Sequence, residues 1–591
     1  MRRVVTSARA ELRLREAAVW LAARSPDEQV LIVGATHDGA AELIRQVARE
    51  RGSGFGWHRM TLGRLAAELA KLELASRALA PIGMLPVEAL CARVIHSMRA
   101  AGTLGRLDAV ADQPGLPRAL ARTLTELRMG GIDSAKLSPE IGAALAGLAI
   151  ELERARLADR AQVFELAAAI TRHALLGLPT LVLDVRLRAR AEQALLEKVL
   201  GAAPDALITV AVGDELTSSR LGGAVEVLAV EERDALSRVQ KHLFDRGKLT
   251  FAPLDRSIEI FSAPGENREC VELARRVLAE AEAGVPFDRM AIVLRTPNHY
   301  RAHLEEAFSR AGVEVYFEHG TVRPDPSGRA FLALLACAAE GLSARRFAEY
   351  VSIGEVPDAI AGEPPPAVPS AERWVAPDEE LSALTLEDQP VARPRFGGDP
   401  DAPVAGGTLR APWRWERLLV EAAVIGGLER WERRLAGLAA RLELADLESP
   451  SESRTRMRED LAHLRRFAMP LLDELSTLPA HATWGDWIDR LSALATRALR
   501  SPDRVLSTLS SLVPMADVGP VALRDIQLVL APRLAELIVH PAARRYGAVL
   551  IAPIEAIRGM AFDVVFVPGL AERMFPQKVI EDPLLLDSVR G

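Results

Sequence analysis

Two glycines, Gly34 and Gly39, follow the aliphatic run Val30 to Val33 in VLIVGATHDGAAELIR. This is the glycine spacing of a Walker A loop. In such a loop backbone N–H groups cradle phosphates, a lysine meets the β/γ-phosphates and a Ser/Thr hydroxyl binds Mg²⁺. Here Ala40 stands at the lysine position and Ala41 at the hydroxyl position, and neither side chain can take those roles. The same glycine pair also arises by chance after a strand. Asp184 closes a second aliphatic run, TLVLD, where a Mg²⁺-holding aspartate would sit; it reads equally as an ordinary strand-end aspartate. Val185 follows, in place of the glutamate that orients an attacking water. Lysine occurs only as Lys71, Lys136, Lys198, Lys241, Lys248 and Lys578, and arginine carries nearly all the positive charge. That bias is compositional, except at Ala40, where nothing basic replaces the missing group.

The elements that must position these residues read as α/β. Val30 to Val33, Thr180 to Asp184 and ALITVAVGD (206–214) are short apolar runs of the kind that form parallel strands buried on both faces. Between them, 61–174 is helical in pattern, with Leu62, Leu65, Leu69 and Leu72 on one predicted helix face. Prolines at 81, 86, 114, 117 and 139 divide it. Residues 257–345 repeat the style. SIEIFSAP, DRMAIVLR and VEVYFEHG predict strands, and GENRECVELARRVLAEAEAG and YRAHLEEAFSRAG predict helices. From about 354 to 412 proline and glycine dominate, which predicts a long, poorly ordered loop. Leu428, Trp431, Leu435, Leu438 and Leu442 then predict a long amphipathic helix, and GAVLIAPIEAIRGMAFDVVFVPGL returns to strand, helix and strand.

The composition excludes several classes. The chain has 591 residues, is 49% hydrophobic and 26% charged, and carries a formal charge of -7. That balance excludes a generally basic nucleic-acid coat protein but leaves room for a local basic groove. Cys91, Cys270 and Cys337 are too far apart in sequence for a CxxC metal pair or a disulfide framework, which suits a reducing cytosol. No apolar run reaches the ~18 residues of a membrane span. The basic start lacks the apolar stretch of a signal peptide, so a cytoplasmic protein without membrane partners is expected.

These strings, in this order, resemble superfamily 1 helicases of the UvrD/RecB type, which have two RecA-like P-loop NTPase-type domains with large helical insertions. VAVGDEL (210–216) resembles the third motif, with Thr217 or a neighbour in place of its nucleotide-sensing glutamine. MAIVLRTPNHYRAHLEEAFSRAGVEVYF (290–317) resembles the fourth, whose γ-phosphate arginine corresponds to Arg295. APIEAIRGMAFDVVFVPGLAERMFP (552–576) resembles the fifth, usually built around Lys-Gly-Leu-Glu-Phe-Asp. Here Arg558 replaces the lysine and Ala561 the glutamate, while Gly559, Phe562 and Asp563 are kept. More narrowly, the whole chain resembles the AddB-like subunits and PD-(D/E)XK nuclease family proteins of recombination helicase–nuclease complexes.

The resemblance implies this division: 1–60 and 175–250 as the first RecA-like domain, 61–174 as its helical insertion, 255–345 and 541–591 as the second, 346–412 as a Pro/Gly-rich loop and 413–540 as the second insertion. Gly34, Gly39, Ala40, Ala41, Asp184, Arg295, Arg558 and Gly559 would form a degenerate nucleotide site, with no cofactor bound in this chain. An iron–sulfur cluster or nuclease metal would belong to a region after Gly591, which the resemblance leads one to expect. The implied partners are single-stranded DNA at duplex ends, during double-strand-break repair and recombination, and an AddA-like helicase–nuclease subunit. The alternatives are an active ATP-dependent helicase with an atypical loop, or a protein scaffold for the AddA-like motor.

Single-strand grooves combine basic side chains with aromatic platforms on which bases stack. Phe55, Trp57, His58 and Arg59 in GFGWHRMT, and Tyr300 with Arg301 at a predicted helix start, are the candidates. Trp57 reads equally as a core residue, and Tyr300–Arg301 as a plain helix start. The pairs Arg465–Arg466 and Arg544–Arg545 read first as solvated faces.

Overall fold

A computed structural model describes the chain apart from residues 1, 53, 112, 114, 222–224, 244–246, 248–250, 319, 358–411, 540–544, 577–581, 583 and 586–591. The predicted loop at 354–412, Arg544 and most of the segment after Pro576 lie outside the described residues.

The chain opens with β1 (Arg2–Ser7), α1 (Ala10–Ala22), β2 (Val30–Gly34), α2 (His37–Arg51), β3 (Trp57–Thr61) and α3 (Leu62–Ser76). An excursion follows: β4 (Ala80–Pro81), α4 (Met84–Ala100), α5 (Gly115–Gly130), α6 (Pro139–Arg154) and β5 (Leu157–Ala158). The chain then runs through α7 (Arg160–Ala169), β6 (Thr180–Leu183), α8 (Arg190–Ala202), β7 (Ala206–Ala211), α9 (Glu215–Leu221), β8 (Val225–Val227) and α10 (Ala235–His242). A second block begins with α11 (Glu266–Glu282), β9 (Met290–Leu294), α12 (Pro297–Ala311) and β10 (Val315–Phe317). Its excursion comprises β11 (Thr321–Pro324), α13 (Pro326–Ala339), α14 (Ala344–Ser352), α15 (Pro412–Ala422), α16 (Leu428–Glu448), α17 (Glu452–Ser476), β12 (His481–Ala482), α18 (Trp484–Ala498), α19 (Asp503–Ser510), β13 (Val521–Ala522), α20 (Leu523–Leu534) and β14 (Glu536–Val539). β15 (Val549–Pro553) and β16 (Val564–Phe566) return to the second block.

The fold is α/β. The first sheet is parallel throughout, in the order β3-β2-β6-β7-β1-β8, and the second, β10-β15-β9-β16, is parallel as well. Val30, Leu31, Ile32 and Val33 are fully buried, because helices cover both faces of the sheet. The register sets Gly34 beside Thr61 and Leu183, so the C-terminal ends of β2, β3 and β6 lie level. Leu294 sits opposite Pro553 in the second sheet.

Both excursions leave and return through paired strands. β4 and β5 pair in parallel at the neck of the first; β11 and β14 pair antiparallel at the neck of the second. The first neck lies inside the predicted 61–174 range. α3 and α7 belong with the sheet, where Leu65, Leu69 and Phe164 share a core with Leu31 and Val33. α13, placed with the second sheet by sequence, packs instead in the helical body, as does α14, most of which falls in the range predicted as a Pro/Gly-rich loop. That body has one continuous core, joining residues of α4, α5 and α6 to those of α13 to α20.

Two local expectations need correction. Leu72 is 76% exposed: the buried arc of α3 runs through Leu62, Leu65, Ala66, Leu69, Ala70 and Leu74, and Leu72 falls past its edge. SIEIFSAP forms no strand; Ile260 is 77% exposed, and the segment finds no sheet neighbour to satisfy its backbone. Conversely, the basic opening residues form β1, with Val4 and Val5 buried between β7 and β8.

Candidate functional site

The glycine pair does not make a phosphate loop. Only Ala35 and Thr36 separate β2 from α2, and Thr36 caps the helix by accepting the Gly39 N–H at 3.0 Å. Gly39 therefore lies in the first helical turn, not in a loop. A Cβ at Gly34 would stand 3.0 Å from that of Ala40, which is fully buried beneath it. The Ala40 position faces the core, where a lysine ammonium would lose its hydration. Ala41 is half-buried on the same helix.

The exposed end of α2 is covered from the second sheet. A Cβ at Gly39 would be 2.9 Å from the Arg558 carbonyl oxygen and 3.3 Å from that of Gly559. The Thr36 hydroxyl donates to the same Arg558 carbonyl at 3.5 Å. Peptide carbonyls thus meet the positive end of the α2 dipole, where a bound anion would otherwise be favoured. Gly559 has a φ of +76°, and a side chain there would press on Leu183 at 3.3 Å. Glycine is needed here both for the turn and for the close approach.

Asp184 is 2% exposed, and both its carboxylate oxygens are taken. Arg13, from α1, donates from Nε to Oδ1 at 2.9 Å and from Nη2 to Oδ2 at 2.8 Å. The Thr209 hydroxyl donates to Oδ1 at 2.9 Å. An internal guanidinium sits on the face where a metal would bind, and its planar fork matches the carboxylate. Arg13 was missed from sequence. The signal was there: it shares the buried stripe of α1 with Ala17, Trp20 and Leu21, an odd place for an arginine without a buried partner.

Arg558 completes the join. Its Nη1 lies 3.2 Å from Asp214 Oδ2 and 3.3 Å from the Asp184 carbonyl oxygen. Asp214 belongs to the VAVGDEL string and also accepts the Thr217 N–H at 3.3 Å. Thr217 is buried, and its hydroxyl accepts the Leu187 N–H at 3.0 Å. Arg295 takes no part; it pairs with Glu555 at 3.3 Å within its own block. Asp184, Arg558 and Gly559 are therefore brought together with Gly34 and Gly39, while Arg295 is engaged by Glu555.

A second contact flanks the first. Arg545 is 9% exposed, 3.8 Å from Glu42, and 5.6 Å from the Phe562 ring centre. It is a joint residue, not the solvated one expected. Arg45 stacks on Tyr546 at 3.2 Å. The hydrogen bond from His37, with the charges of Arg545 and Arg59, holds the Asp38 carboxyl below its ordinary range. Burial, reinforced by the nearby Asp38 charge and opposed by Arg545, pushes Glu318 up to about 7.

One of the aromatic DNA candidates is corrected. Tyr300 is 2% exposed and donates to Glu269 at 2.7 Å, in the core under α12. Trp57 is half-buried against the core of α1 and α2, and a Cβ at Gly54 would be 2.5 Å from its ring. It pairs with Val30, at the opposite end of the sheet from Gly34 and about 13 Å away. Phe55 is 75% exposed and Arg59 is exposed. His58 Nε2 lies 3.4 Å from Gln29 Oε1. Arg301 is half-buried, and burial lowers its pKa. Arg465 and Arg466 are exposed, as expected.

No protein-family model matches the chain, and no curated protein matches it. The resemblance to helicase-like subunits therefore rests on the strings quoted above and on the α/β layout. No group of His, Cys, Asp and Glu suited to a metal ion occurs among the described residues. None of their helices is long and apolar enough to cross a membrane.

Proposed function

We propose that this chain is a helicase-like, non-hydrolysing region of an AddAB/RecBCD-type DNA-end-processing assembly in the cytoplasm. Its two RecA-like domains bind single-stranded DNA while an AddA-like partner drives translocation. The observation that carries the non-hydrolysing part is the Arg13–Asp184 pair. The carboxylate that would hold Mg²⁺ is engaged on both oxygens by a buried guanidinium, and phosphoryl transfer depends on that metal and its neighbours being placed together. The DNA part is supported by the order of the helicase-like strings and by two parallel sheets whose connecting loops meet at Asp184, Asp214 and Arg558.

The test is a paired assay on the purified chain: ATP turnover with and without single-stranded DNA, and oligonucleotide binding across a salt series. We expect no saturable, DNA-stimulated ATPase and an affinity that falls with salt, as phosphate contacts require. DNA-stimulated turnover would favour the active-helicase reading. Absence of oligonucleotide binding would leave a protein scaffold.

A further inference from the structure

The string EDPLLLD follows β16 in sequence, and its Asp582, Leu584 and Leu585 are among the described residues. They pack not with the second sheet but against the first excursion, on α5 and on the 3-10 turn Gly105–Val110. Asp582 Oδ2 accepts the Thr123 hydroxyl of α5 at 2.8 Å, and Arg106 Nη2 of the turn donates to the Leu584 carbonyl at 3.1 Å. Leu584 and Leu585 are each 6% exposed, in the core that also holds Leu104, Leu107, Leu116 and Leu120. Burial of the two leucines drives the contact. The polar groups add a demand for a carboxylate and for one direction of the backbone.

Two features mark this as the seat of a ligand and not as permanent core. The bound shape is local to the peptide. Asp582 Oδ1 accepts the Leu584 N–H at 2.8 Å, an Asx turn, and an Asp-Pro step is of the kind that starts turns. Such a shape travels with the peptide, so little ordering is needed when it binds. Release also strands no polar group on the seat. Thr123 is 1% exposed, but its hydroxyl lies 3.1 Å from the Ala119 carbonyl one turn back and keeps that partner when the carboxylate leaves. Arg106 is exposed and returns to water.

We propose that this face of the first excursion is a peptide-docking groove that reads Asp-x-Leu-Leu, occupied by Asp582–Leu585 as a releasable strap, and that a separate peptide of the same pattern displaces the strap. About fifteen residues tether the strap to β16, which presents it to the groove at an effective concentration on the order of millimolar. The tethered copy therefore keeps the groove closed against weak competitors. Docked, the strap ties the second block to the first excursion. Released, it removes that tie while the core shared by α4, α5, α6 and α13 to α20 remains.

The experiment uses the full chain. Leu584→Asp with Leu585→Asp releases the strap, and thermal unfolding checks that this variant is folded. A fluorescein-labelled EDPLLLD peptide is titrated into it and into the unaltered chain, with anisotropy as the readout. The strap-released variant binds the peptide at least about tenfold more tightly than the unaltered chain. Thr123→Val, added to that variant, weakens binding at least about tenfold, through loss of one charge-assisted hydrogen bond. A control peptide, EDPSSLD, does not bind. The inference is overturned if the folded strap-released variant binds no EDPLLLD, binds it no better than the unaltered chain does, binds EDPSSLD equally, or binds as well with Thr123→Val. Should the strap-released variant fail to fold, amide hydrogen exchange in the unaltered chain decides. Excess EDPLLLD then speeds exchange at 582–587 and leaves 523–534 unchanged; no acceleration at 582–587 makes the segment permanent core and overturns the inference.

Discussion

At the scale of single residues, Arg13 and Asp184 carry most of the meaning of the site. Their side chains are 7% and 2% exposed and joined by two hydrogen bonds. Breaking such a pair from one side leaves a buried charge without compensation, which costs about 3–5 kcal/mol. Arg13→Met and Asp184→Asn should each destabilise by that order in urea unfolding. The double variant should lose less than the sum, giving a coupling of about 1–3 kcal/mol. Additive losses would mean that the two do not act as a pair. Asp184 was legible in the sequence because strand ends are. Arg13 showed only as a basic residue on the apolar stripe of α1; its partner is distant in the chain, and only the fold brings them together. Tyr300 misled for a related reason: an aromatic at a helix start looks exposed until the Glu269 carboxylate turns out to lie beneath it.

Glu318 gives a residue-scale pH dependence whose sign is opposite to the usual carboxylate case. Its pKa rises from the ordinary 4.5 to about 7, chiefly through burial. The folded protein thus holds a proton that the unfolded chain has released between those values. Stability therefore falls as pH rises from about 4.5 to about 7 and stays lowered above it. Asp38, with a lowered pKa, works the other way and only at more acid pH. Glu318→Gln should remove the loss between pH 4.5 and 7 and raise the urea midpoint at pH 8. An unchanged pH profile would sink this assignment.

At the scale of elements, the decisive fact is where α2 begins. Glycine spacing suggested a loop between β2 and α2, yet Thr36 caps the helix so early that Gly39 is already helical. Capping and glycine spacing compete for the same residues, and a single sequence does not say which prevails. The strands themselves were readable, because burial on both faces leaves a continuous apolar run; SIEIFSAP shows the limit, since a strand also needs a neighbour. The early start of α2 predicts the fate of a restored motif. Ala40→Lys with Ala41→Thr rebuilds the Walker A letters but buries an ammonium where Ala40 is fully enclosed. The variant should gain no nucleotide affinity by equilibrium dialysis and should lose several kcal/mol of stability. Measurable Mg²⁺-dependent ATP binding would show that the α2 start rearranges into a loop.

For the whole molecule, the question is whether the two sheets move against each other. A motor of this layout must open and close around nucleotide. Here three joins oppose that. Arg558 reaches Asp214 and the Asp184 carbonyl. The two helical excursions share one core, with Arg533 of α20 at 3.5 Å from buried Glu88 of α4. Leu584 and Leu585 enter that core as well, and the Thr123 hydroxyl donates to Asp582 at 2.8 Å. Interfaces packed in this way are bistable at most, not continuously deformable, and a ligand shifts them only by its differential affinity for the two states. Arg558→Ala removes the side chain that, among the described residues, reaches Asp214 from the second sheet, and leaves the shared helical core untouched. Amide hydrogen exchange should then speed up together at 34–40 and 554–560, with 84–98 and 523–534 unchanged. Adding ATP and Mg²⁺ to the unmodified chain should protect neither region. If nucleotide slows exchange at 34–40 in the unmodified chain, the joint opens for a ligand and the locked arrangement is wrong. If Arg558→Ala changes exchange everywhere alike, the arginine holds the whole fold together and not this joint.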